Sequence, residues 1–312
     1  MIQVEDLTKF YNDLCAVDHI NLEIPKGEIM GLLGPNGAGK TTALRMLTGY
    51  FKPTSGSIRI KDYDIDEQPV TVKRLIGYLP ESAPLYPGML VFDYLTYIAN
   101  IRGMGGESKR RRIHDLVGLC GLQGIMHKTI GELSKGLKQR VGLAHAMMSD
   151  PEILILDEPT SGLDPNQIVE IRDIIRAIGR EKTVILSTHI LSEAEATCDR
   201  IVIIHKGRIV ADDRTENLKT SADGTQQINL GLQNASAEDT RNRLGALPGI
   251  AEVTTQLNNV SGMLEVVLTC RSEGDPRADI YAAVKQTDWI LLEFIQHARD
   301  LESIFRELTK EN

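Results

Sequence analysis

The feature of this sequence that most restricts its fold is the glycine-rich stretch GPNGAGKT at residues 34–41. It follows the apolar stretch EIMGLL at 28–33, and a helical pattern begins at residue 41. The spacing fits G-x-x-x-x-G-K-[ST], the phosphate-binding loop, and a strand before it and a helix after it are the context which that loop requires. A chance glycine-rich turn would lack this context. The stretch therefore predicts a site for a nucleoside triphosphate.

The residue types in this loop suit phosphate binding. Backbone N–H groups from Gly37 to Thr41 can surround the phosphates, and Lys40 can reach the β and γ phosphates. The hydroxyl of Thr41 can coordinate Mg²⁺. We therefore expect the phosphates of a nucleoside triphosphate, with Mg²⁺, at this loop.

A second stretch, ILILDEP at 153–159, supplies the acidic groups that such a site needs. Its four apolar residues predict a buried strand beside the phosphate loop, with Asp157 at the carboxyl end. Asp157 can hold Mg²⁺ through water, and Glu158 can polarise a water molecule aimed at the γ-phosphate. The alternative, an acidic pair that caps the next helix, is weak beside a phosphate loop.

A third stretch, LSKGLKQR at 133–140, looks like another anion-binding helix start. A serine and a glycine lead into VGLAHAMM, a strong helical pattern, and the amino end of a helix attracts negative charge. The sequence thus contains two phosphate-binding devices that are far apart along the chain.

The pattern of apolar segments predicts a mainly parallel sheet covered on both sides, with an antiparallel edge at 2–8 and 18–24. Residues 89–149 are predicted to be mostly helical, with a break near RGMGGES. Further strands are predicted at 28–33, 152–159, 183–189 and 200–210, and helices at 165–180 and 191–198.

The pattern changes after residues 213–218, and a polar linker is predicted at 219–225. We therefore predict two domains, 1–217 and 218–312. The second has the element order βαββαβ, which is that of a ferredoxin-like α+β domain. A final helix, DLESIFRELTK, is predicted after it.

With these motifs in order, residues 1–217 resemble the nucleotide-binding subunit of an ATP-binding cassette (ABC) transporter. GPNGAGKTT matches the Walker A loop of that family, GYLPE (77–81) the Q-loop region, and LSKGLKQR the signature loop. ILILDEP matches the Walker B strand, SGLDP (161–165) the D-loop, and STH (187–189) the switch histidine. The resemblance implies an α/β P-loop ABC ATPase core with a mainly parallel sheet, an antiparallel edge and a helical subdomain.

The resemblance also implies roles for individual residues. Those that would bind ATP on the same chain are Tyr11, which would stack on adenine, and Asn36, Gly37, Gly39, Lys40, Thr41 and Thr42. Those implied in catalysis are Glu158, His189 and Glu81, and those implied in binding Mg²⁺ are Thr41, Asp157 and Glu81. In the family two subunits pair head to tail, so Ser134 and Gly136 would contact the γ-phosphate of the ATP bound to the partner. Asp164, in the D-loop, is also implied in nucleotide binding.

This chain departs from the family pattern at two motifs. Lys135 and Leu137 replace a glycine and a glutamine in the signature loop, and Lys135 either adds charge toward phosphate or is solvated. Glu81 replaces the usual Q-loop glutamine. GYLPE and the LSKG signature resemble the branch of ABC-2 type exporters, which includes gliding-motility and drug-export ATPases.

The segment YPGMLVFDYLTY at 86–97 is rich in aromatic residues and follows the Q-loop. Its aromatics either pack in the core of the helical subdomain or line a groove for a short helix of a membrane partner. The resemblance implies the second use.

Charge and hydropathy limit the partners. The net charge of −8 argues against nucleic acid. No apolar run approaches the roughly 20 residues that span a bilayer. We expect a cytoplasmic subunit, peripheral on the inner face of the membrane, that works as a homodimer or with a paired ATPase subunit and drives a separate integral membrane permease. The alternatives are a soluble ABC ATPase that acts on ribosomes or DNA, and a nucleotide-sensing regulatory module.

Overall fold

The computed structural model describes residues 1–220, 226–258, 263–270 and 275–297. The chain divides into two compact units between Thr215 and Glu216. The predicted closing helix at 300–310 lies outside the described residues, as does most of the predicted linker at 219–225. Within the described ranges, no helix is both long enough and apolar enough to cross a membrane.

The elements of the first unit alternate between strands and helices. The strands are β1 (Ile2–Tyr11), β2 (Leu14–Ile24), β3 (Ile29–Leu33), β4 (Ser55–Ile60), β5 (Tyr63–Asp64), β6 (Ile76–Leu79), β7 (Ile153–Leu156), β8 (Thr183–Thr188), β9 (Arg200–His205) and β10 (Arg208–Arg214). The α-helices are α1 (Lys40–Leu47), α2 (Pro69–Leu75), α3 (Val91–Ile101), α4 (Gly106–Leu119), α5 (Lys135–Met147), α6 (Pro165–Gly179) and α7 (Leu191–Thr197), and α8 (Thr215–Thr220) follows at the boundary.

A six-stranded sheet forms the centre of this unit, in the order β10-β9-β3-β8-β7-β6. All neighbouring pairs are parallel except β10 with β9. Every residue of β3 and β7 is buried, as expected where helices cover both faces of a parallel sheet. The predicted mainly parallel sheet is confirmed, but its antiparallel edge is β10, which was not predicted to form it.

A second, antiparallel sheet has the order β2-β1-β4-β5. The strands predicted at 2–8 and 18–24 belong to this separate sheet, and not to the edge of the parallel one. One apolar core is shared by both sheets and by α1, with Ile2, Leu44 and Ile155 among its fully buried members. This shared core holds the start of α1 firmly against the carboxyl ends of the parallel strands.

Helices α3, α4 and α5 pack together as a helical subdomain. The predicted break near RGMGGES is the loop between Ile101 and Gly106, where Gly103 has a φ of 74°. Short 3-10 turns at Gln123–Ile125 and Ile130–Glu132 lead into α5. The subdomain thus presents the amino end of α5 after an ordered turn.

The structure corrects the predicted strand at 200–210. Residues Lys206 and Gly207 have φ values of 48° and 81° and form a tight turn, so the segment is the hairpin of β9 and β10. Two residues with positive φ match the hairpin turns that follow the twist of a sheet. Helix α2 and strand β6 are also not predicted from the sequence, because the residues of β6 are recognisable only as part of the Q-loop region.

The second unit contains an antiparallel sheet in the order β12-β13-β11-β14. Its described elements are β11 (Gln226–Gln233), α9 (Ala237–Gly245), β12 (Ile250–Leu257), β13 (Leu264–Cys270), α10 (Arg277–Lys285) and β14 (Ile290–His297). Helix α9 begins at the predicted cap, where the Ser236 hydroxyl accepts the N–H of Asp239 at 3.1 Å. The order βαββαβ and this strand arrangement are those of a ferredoxin-like domain.

Candidate active site

The carboxyl ends of three neighbouring parallel strands bring the predicted catalytic groups together. β3 leads into Gly34 and the glycine-rich loop, β7 leads into Asp157 and Glu158, and β8 leads into His189. Because β8 lies between β3 and β7, residues more than a hundred positions apart meet at one edge of the sheet. Open parallel sheets bind ligands at this edge.

The glycine-rich loop owes its shape to close backbone packing. Gly39, the residue before α1, has a φ of 106°, and a Cβ there would lie 2.3 Å from the carbonyl oxygen of Ala16. Only glycine fits such a conformation at such an approach. No side chain caps α1, so the partial positive charge at its amino end remains for a ligand.

A chain of ionisable side chains crosses the base of the cleft. Lys40 Nζ lies 3.2 Å from Glu158 Oε1, and Glu158 Oε2 lies 2.8 Å from His189 Nδ1. Lys40 also donates to the carbonyl oxygens of Gly34 and Pro35, at 2.7 and 3.2 Å. The side chains of Lys40 and Glu158 are only 6% and 10% exposed, so their attraction is little screened by water.

Asp157 organises the neighbouring polar group. Its Oδ1 accepts the hydroxyl of Thr41 at 3.1 Å and that of Ser187 at 2.7 Å. The same Ser187 oxygen accepts the backbone N–H of Glu158 at 2.9 Å. Asp157 is 1% exposed, and these bonds fix its carboxylate beside the Thr41 hydroxyl. A carboxylate and a hydroxyl at this distance are oxygen ligands suited to Mg²⁺.

Glu158 has an unusual backbone conformation, with a φ of 49°. Residues other than glycine adopt this left-handed region at a cost of about 1–2 kcal/mol, and such strain clusters at functional sites. The bend turns the carboxylate back toward Lys40 and His189.

These groups line one cleft of about 340 Å³. Ten residues predicted to bind ATP or act in catalysis lie along it: Tyr11, Asn36, Gly37, Gly39, Lys40, Thr41, Thr42, Glu81, Glu158 and His189. Asp157 lies just beneath, through its bond to Thr41. Leu14, Ala16 and Ser161 also line the cleft and were not predicted.

Tyr11 lies at the rim of the cleft. It is 38% exposed, and Phe51 meets it edge to face with ring centroids 6.1 Å apart. Lys9 Nζ lies 5.6 Å from the centre of the Tyr11 ring. A flat, partly exposed ring held in this way can stack on a purine.

The second anion-binding device lies outside this cleft. Ser134 caps α5 by accepting the N–H of Leu137 at 3.3 Å. Asp164 caps α6 by accepting the N–H of Gln167 at 2.9 Å. Gly136 is buried, and a Cβ there would meet the Gln167 side chain at 2.6 Å. These three predicted residues therefore cluster with each other, and not with the cleft of the same chain.

Lys135 lies over the loop between β7 and α6. A Cβ built on Gly162 would come within 2.5 Å of the Lys135 amine. Sequence reasoning missed this contact, since it joins two loops that are distant along the chain. Ser187 was also missed as a bonding partner, although it stands directly before Thr188 and His189 in a motif that was recognised.

The aromatic segment 86–97 serves two purposes. Tyr94 is fully buried and belongs to the core, whereas Tyr86, Phe92 and Tyr97 are 50%, 52% and 40% exposed. A groove of about 270 Å³ opens beside them, lined by Pro84, Tyr86, Tyr94, Tyr97, Ile98, Ile101, Arg102 and His145.

Burial and the charge of Arg102 lower the pKa of His145 in this groove. Its Nδ1 lies 2.7 Å from the hydroxyl of Tyr94.

Known proteins resemble this chain in sequence. The sequence family described as ABC transporter matches residues 17–161. The bacitracin transport ATP-binding protein BcrA of Bacillus licheniformis is 39% identical over 236 residues, which are 75% of this chain and 76% of that protein. The Nod factor export ATP-binding protein I of Burkholderia orbicola is 31% identical over 309 residues, 99% of this chain and 96% of that protein.

A solved structure gives the same result for the fold. The ATP-binding cassette MJ0796, a dimer in a post-hydrolysis state bound to ADP and Pi, matches with a TM-score of 0.63 and 26% identity. The match covers 69% of this chain and 99% of the cassette.

Proposed function

The chain belongs to the ABC transporter family as an ATP-binding subunit, and we propose that it hydrolyses Mg-ATP at the cleft above α1 to drive a separate export permease of the ABC-2 type. The observation that carries this proposal is the chain of contacts from Lys40 through Glu158 to His189. These contacts bring together the Lys40 amine, which can bind phosphate, the Glu158 carboxylate and the His189 imidazole.

Each of these groups has a distinct part in hydrolysis. Lys40, in the loop before α1, binds the terminal phosphates of ATP. Glu158 accepts a proton from the attacking water, a step that general bases accelerate by about 10²- to 10⁴-fold. His189 contacts the γ-phosphate and holds the Glu158 carboxylate in place through their 2.8 Å contact.

Mg²⁺ fits beside these groups. The Thr41 hydroxyl and the Asp157 carboxylate converge at 3.1 Å, and Glu81 lies along the same cleft. When bound, the ion offsets the negative charge of the phosphate oxygens. The hydroxyl and the two carboxylates would hold it there, directly or through water.

Ser134, Gly136 and Asp164 act on the ATP of a second subunit, either an identical copy or a paired ATPase. This role accounts for their grouping away from their own chain's cleft. It also explains why one chain has two anion-binding helix starts. Each start contacts a different ATP molecule, so the dimer encloses two.

The permease contacts the aromatic groove beside Tyr86 and Tyr97. Partly exposed aromatics are common anchors in protein interfaces. BcrA is named for transport and the Nod protein for export, which favours an export subunit over action on ribosomes or DNA. The chain would then lie at the inner face of the membrane, bound through its permease.

Hydrolysis tests the first half of the proposal. We expect Glu158→Gln to bind ATP as the wild type does and to lose hydrolysis by roughly 10²-fold or more. Glu107→Gln, on the exposed side of α4, is the matched control and keeps full activity. Undiminished turnover in Glu158→Gln would remove Glu158 from its role.

Association tests the second half. We expect the wild-type chain to co-purify with an integral membrane protein and not to sediment with ribosomes. Tyr97→Asp should lose the membrane protein and keep ATP binding. Tyr281→Asp replaces another exposed tyrosine, in α10, and should keep both. Sedimentation with ribosomes, or retention of the membrane protein by Tyr97→Asp, would overturn this half.

A further inference from the structure

Glu158 and His189 lie on two neighbouring loops, and two separate sets of hydrogen bonds connect these loops. Ser187 makes the lower connection, through its bonds to Asp157 and to the backbone N–H of Glu158. A second connection lies farther along both loops. It is made by Glu193, a residue of α7 that lines no part of the ATP cleft.

One oxygen of Glu193 makes this second connection. Its Oε2 accepts the hydroxyl of Thr160, which follows Glu158 by two residues. It also accepts the hydroxyl of Thr188, which precedes His189, at 3.3 Å. Thr160 and Thr188 are 9% and 1% exposed, so these bonds to a carboxylate are shielded from water and strengthened by its charge.

The two carboxylate oxygens of Glu193 differ in their surroundings. Its other oxygen, Oε1, is buried without a hydrogen-bond partner among the described residues. It borders a cavity of about 360 Å³ whose walls include Ile168, Ile175 and Leu186. Arg172 also lines this cavity, and its buried Nε has no hydrogen-bond partner among the described residues. The donors within hydrogen-bonding distance of Oε2 are the hydroxyls of Thr160 and Thr188.

We infer that Glu193 is a positioning residue that sets the separation of Glu158 and His189. The strained backbone at Glu158, with its φ of 49°, lies between the two connections. Ser187 holds the residue from one side, and Glu193, through Thr160, holds it from the other. The inference rests on the proposed roles of Glu158 and His189 in hydrolysis.

The first test separates binding from turnover. We expect Glu193→Ala to lower kcat by about 10- to 100-fold, since small displacements of catalytic groups have effects of this size. Its affinity for ATP should stay within about twofold of wild type, because the loop around Lys40 is untouched. Glu195→Gln, on the same helix, is the control and should keep both values.

The second test isolates one bond without disturbing α7. Thr160→Val removes the hydroxyl and keeps the shape of the side chain, whereas Thr160→Ser keeps the hydroxyl. We expect a drop in kcat for the valine variant, recovery for the serine variant, and melting temperatures close to wild type for both. Equal kcat for the two variants would overturn the inference, even if Glu193→Ala failed to fold.

The third test asks whether Glu193 acts through Glu158. In the Glu158→Gln background, adding Thr160→Val should change residual hydrolysis by less than about twofold, since effects within one unit are not additive. A full additional loss would contradict the inference. If Glu158→Gln alone kept wild-type turnover, the proposed function would fail instead. If Glu158→Gln were inactive while Glu193→Ala and Thr160→Val were fully active, only the positioning role would fail.

Discussion

The helices α1 and α5 both begin at loops that suit an anion, but their first turns differ. Helix α1 follows Gly39, has no side-chain cap, and begins with Lys40 buried against Glu158. Helix α5 follows Ser134, whose own hydroxyl already accepts the N–H of Leu137. The first start is open and lies inside a cleft, while the second is capped and exposed.

This difference teaches which groups each loop offers. At α1 the backbone N–H groups and the Lys40 amine supply the positive charge, so the loop can bind phosphate without help. At α5 the Ser134 hydroxyl takes part in capping, and Lys135 lies over Gly162. Under the proposed function, we therefore expect the second loop to contribute a few directed contacts to a phosphate that another loop holds.

The largest effects are expected from single substitutions in the two loops, which should change ATP affinity and turnover differently. Lys40→Ala should weaken ATP binding by roughly 10- to 100-fold, since a bond to a charged group contributes about 1.5–3 kcal/mol. Ser134→Arg should leave the ATP affinity of the dilute monomer unchanged and abolish turnover. Nucleotide titration of both variants checks this. Equal loss of affinity in both would break the distinction between the loops.

Mixing the two variants sharpens the comparison further. If the loops act across a dimer, Lys40→Ala mixed with Ser134→Arg yields one doubly damaged site and one intact site. Hydrolysis should then rise to a substantial fraction of wild type, although Lys40→Ala alone is limited by weak ATP binding and Ser134→Arg alone is inactive. If mixed dimers are shown to form and hydrolysis still does not recover, each chain closes its own ATP site.

A moderate effect is expected at Glu81, which lines the cleft of the first loop only. A carboxylate at this position would repel the phosphates of bound ATP, so Mg²⁺ should matter more for binding. Glu81→Gln should bind ATP at least as well and depend less on Mg²⁺, while permease-stimulated hydrolysis falls. Glu81→Ala should lose that stimulation more severely. A magnesium titration in which both variants match wild type would make Glu81 a bystander.

The smallest effect concerns pH and α5 alone. Burial lowers the pKa of His145, a residue of α5, below its usual 6.5. Below about pH 6.5 the unfolded chain therefore binds a proton at His145 more readily than the folded chain does. As a result, the contribution of His145 to the free energy of unfolding is complete above about pH 6.5 and decreases as the pH falls below that value. The decrease in melting temperature from pH 7.5 to pH 5 should be smaller in His145→Gln than in the wild type, by about 2 °C or more. An unchanged slope would exclude His145 as the cause.

The groups that lie along the cleft were predictable from the sequence because their motifs are local. The loop at 34–41, the strand end at Asp157 and Glu158, and His189 are each recognisable within a few residues. Lys135 over Gly162 and Glu193 between two threonines were not predictable, because they depend on which loops become neighbours in three dimensions. The hairpin of β9 and β10 was missed since Lys206 is not a residue type that signals a turn.

The order of strands in the central sheet also determines when the sheet can form during synthesis of the chain. β3 carries the phosphate loop and leaves the ribosome early, but its two neighbours, β8 and β9, lie about 150 residues later. At 5–20 residues per second, that interval lasts roughly 10–30 s. Throughout it the apolar residues Ile29–Leu33 have both edges open to pairing with other nascent chains. The phosphate loop also lacks one of its hydrogen bonds until Gly207 has been synthesised, because the Gly207 N–H donates to the carbonyl oxygen of Ala38 at 2.9 Å. The ATP site is thus among the first parts to be translated and among the last to be completed.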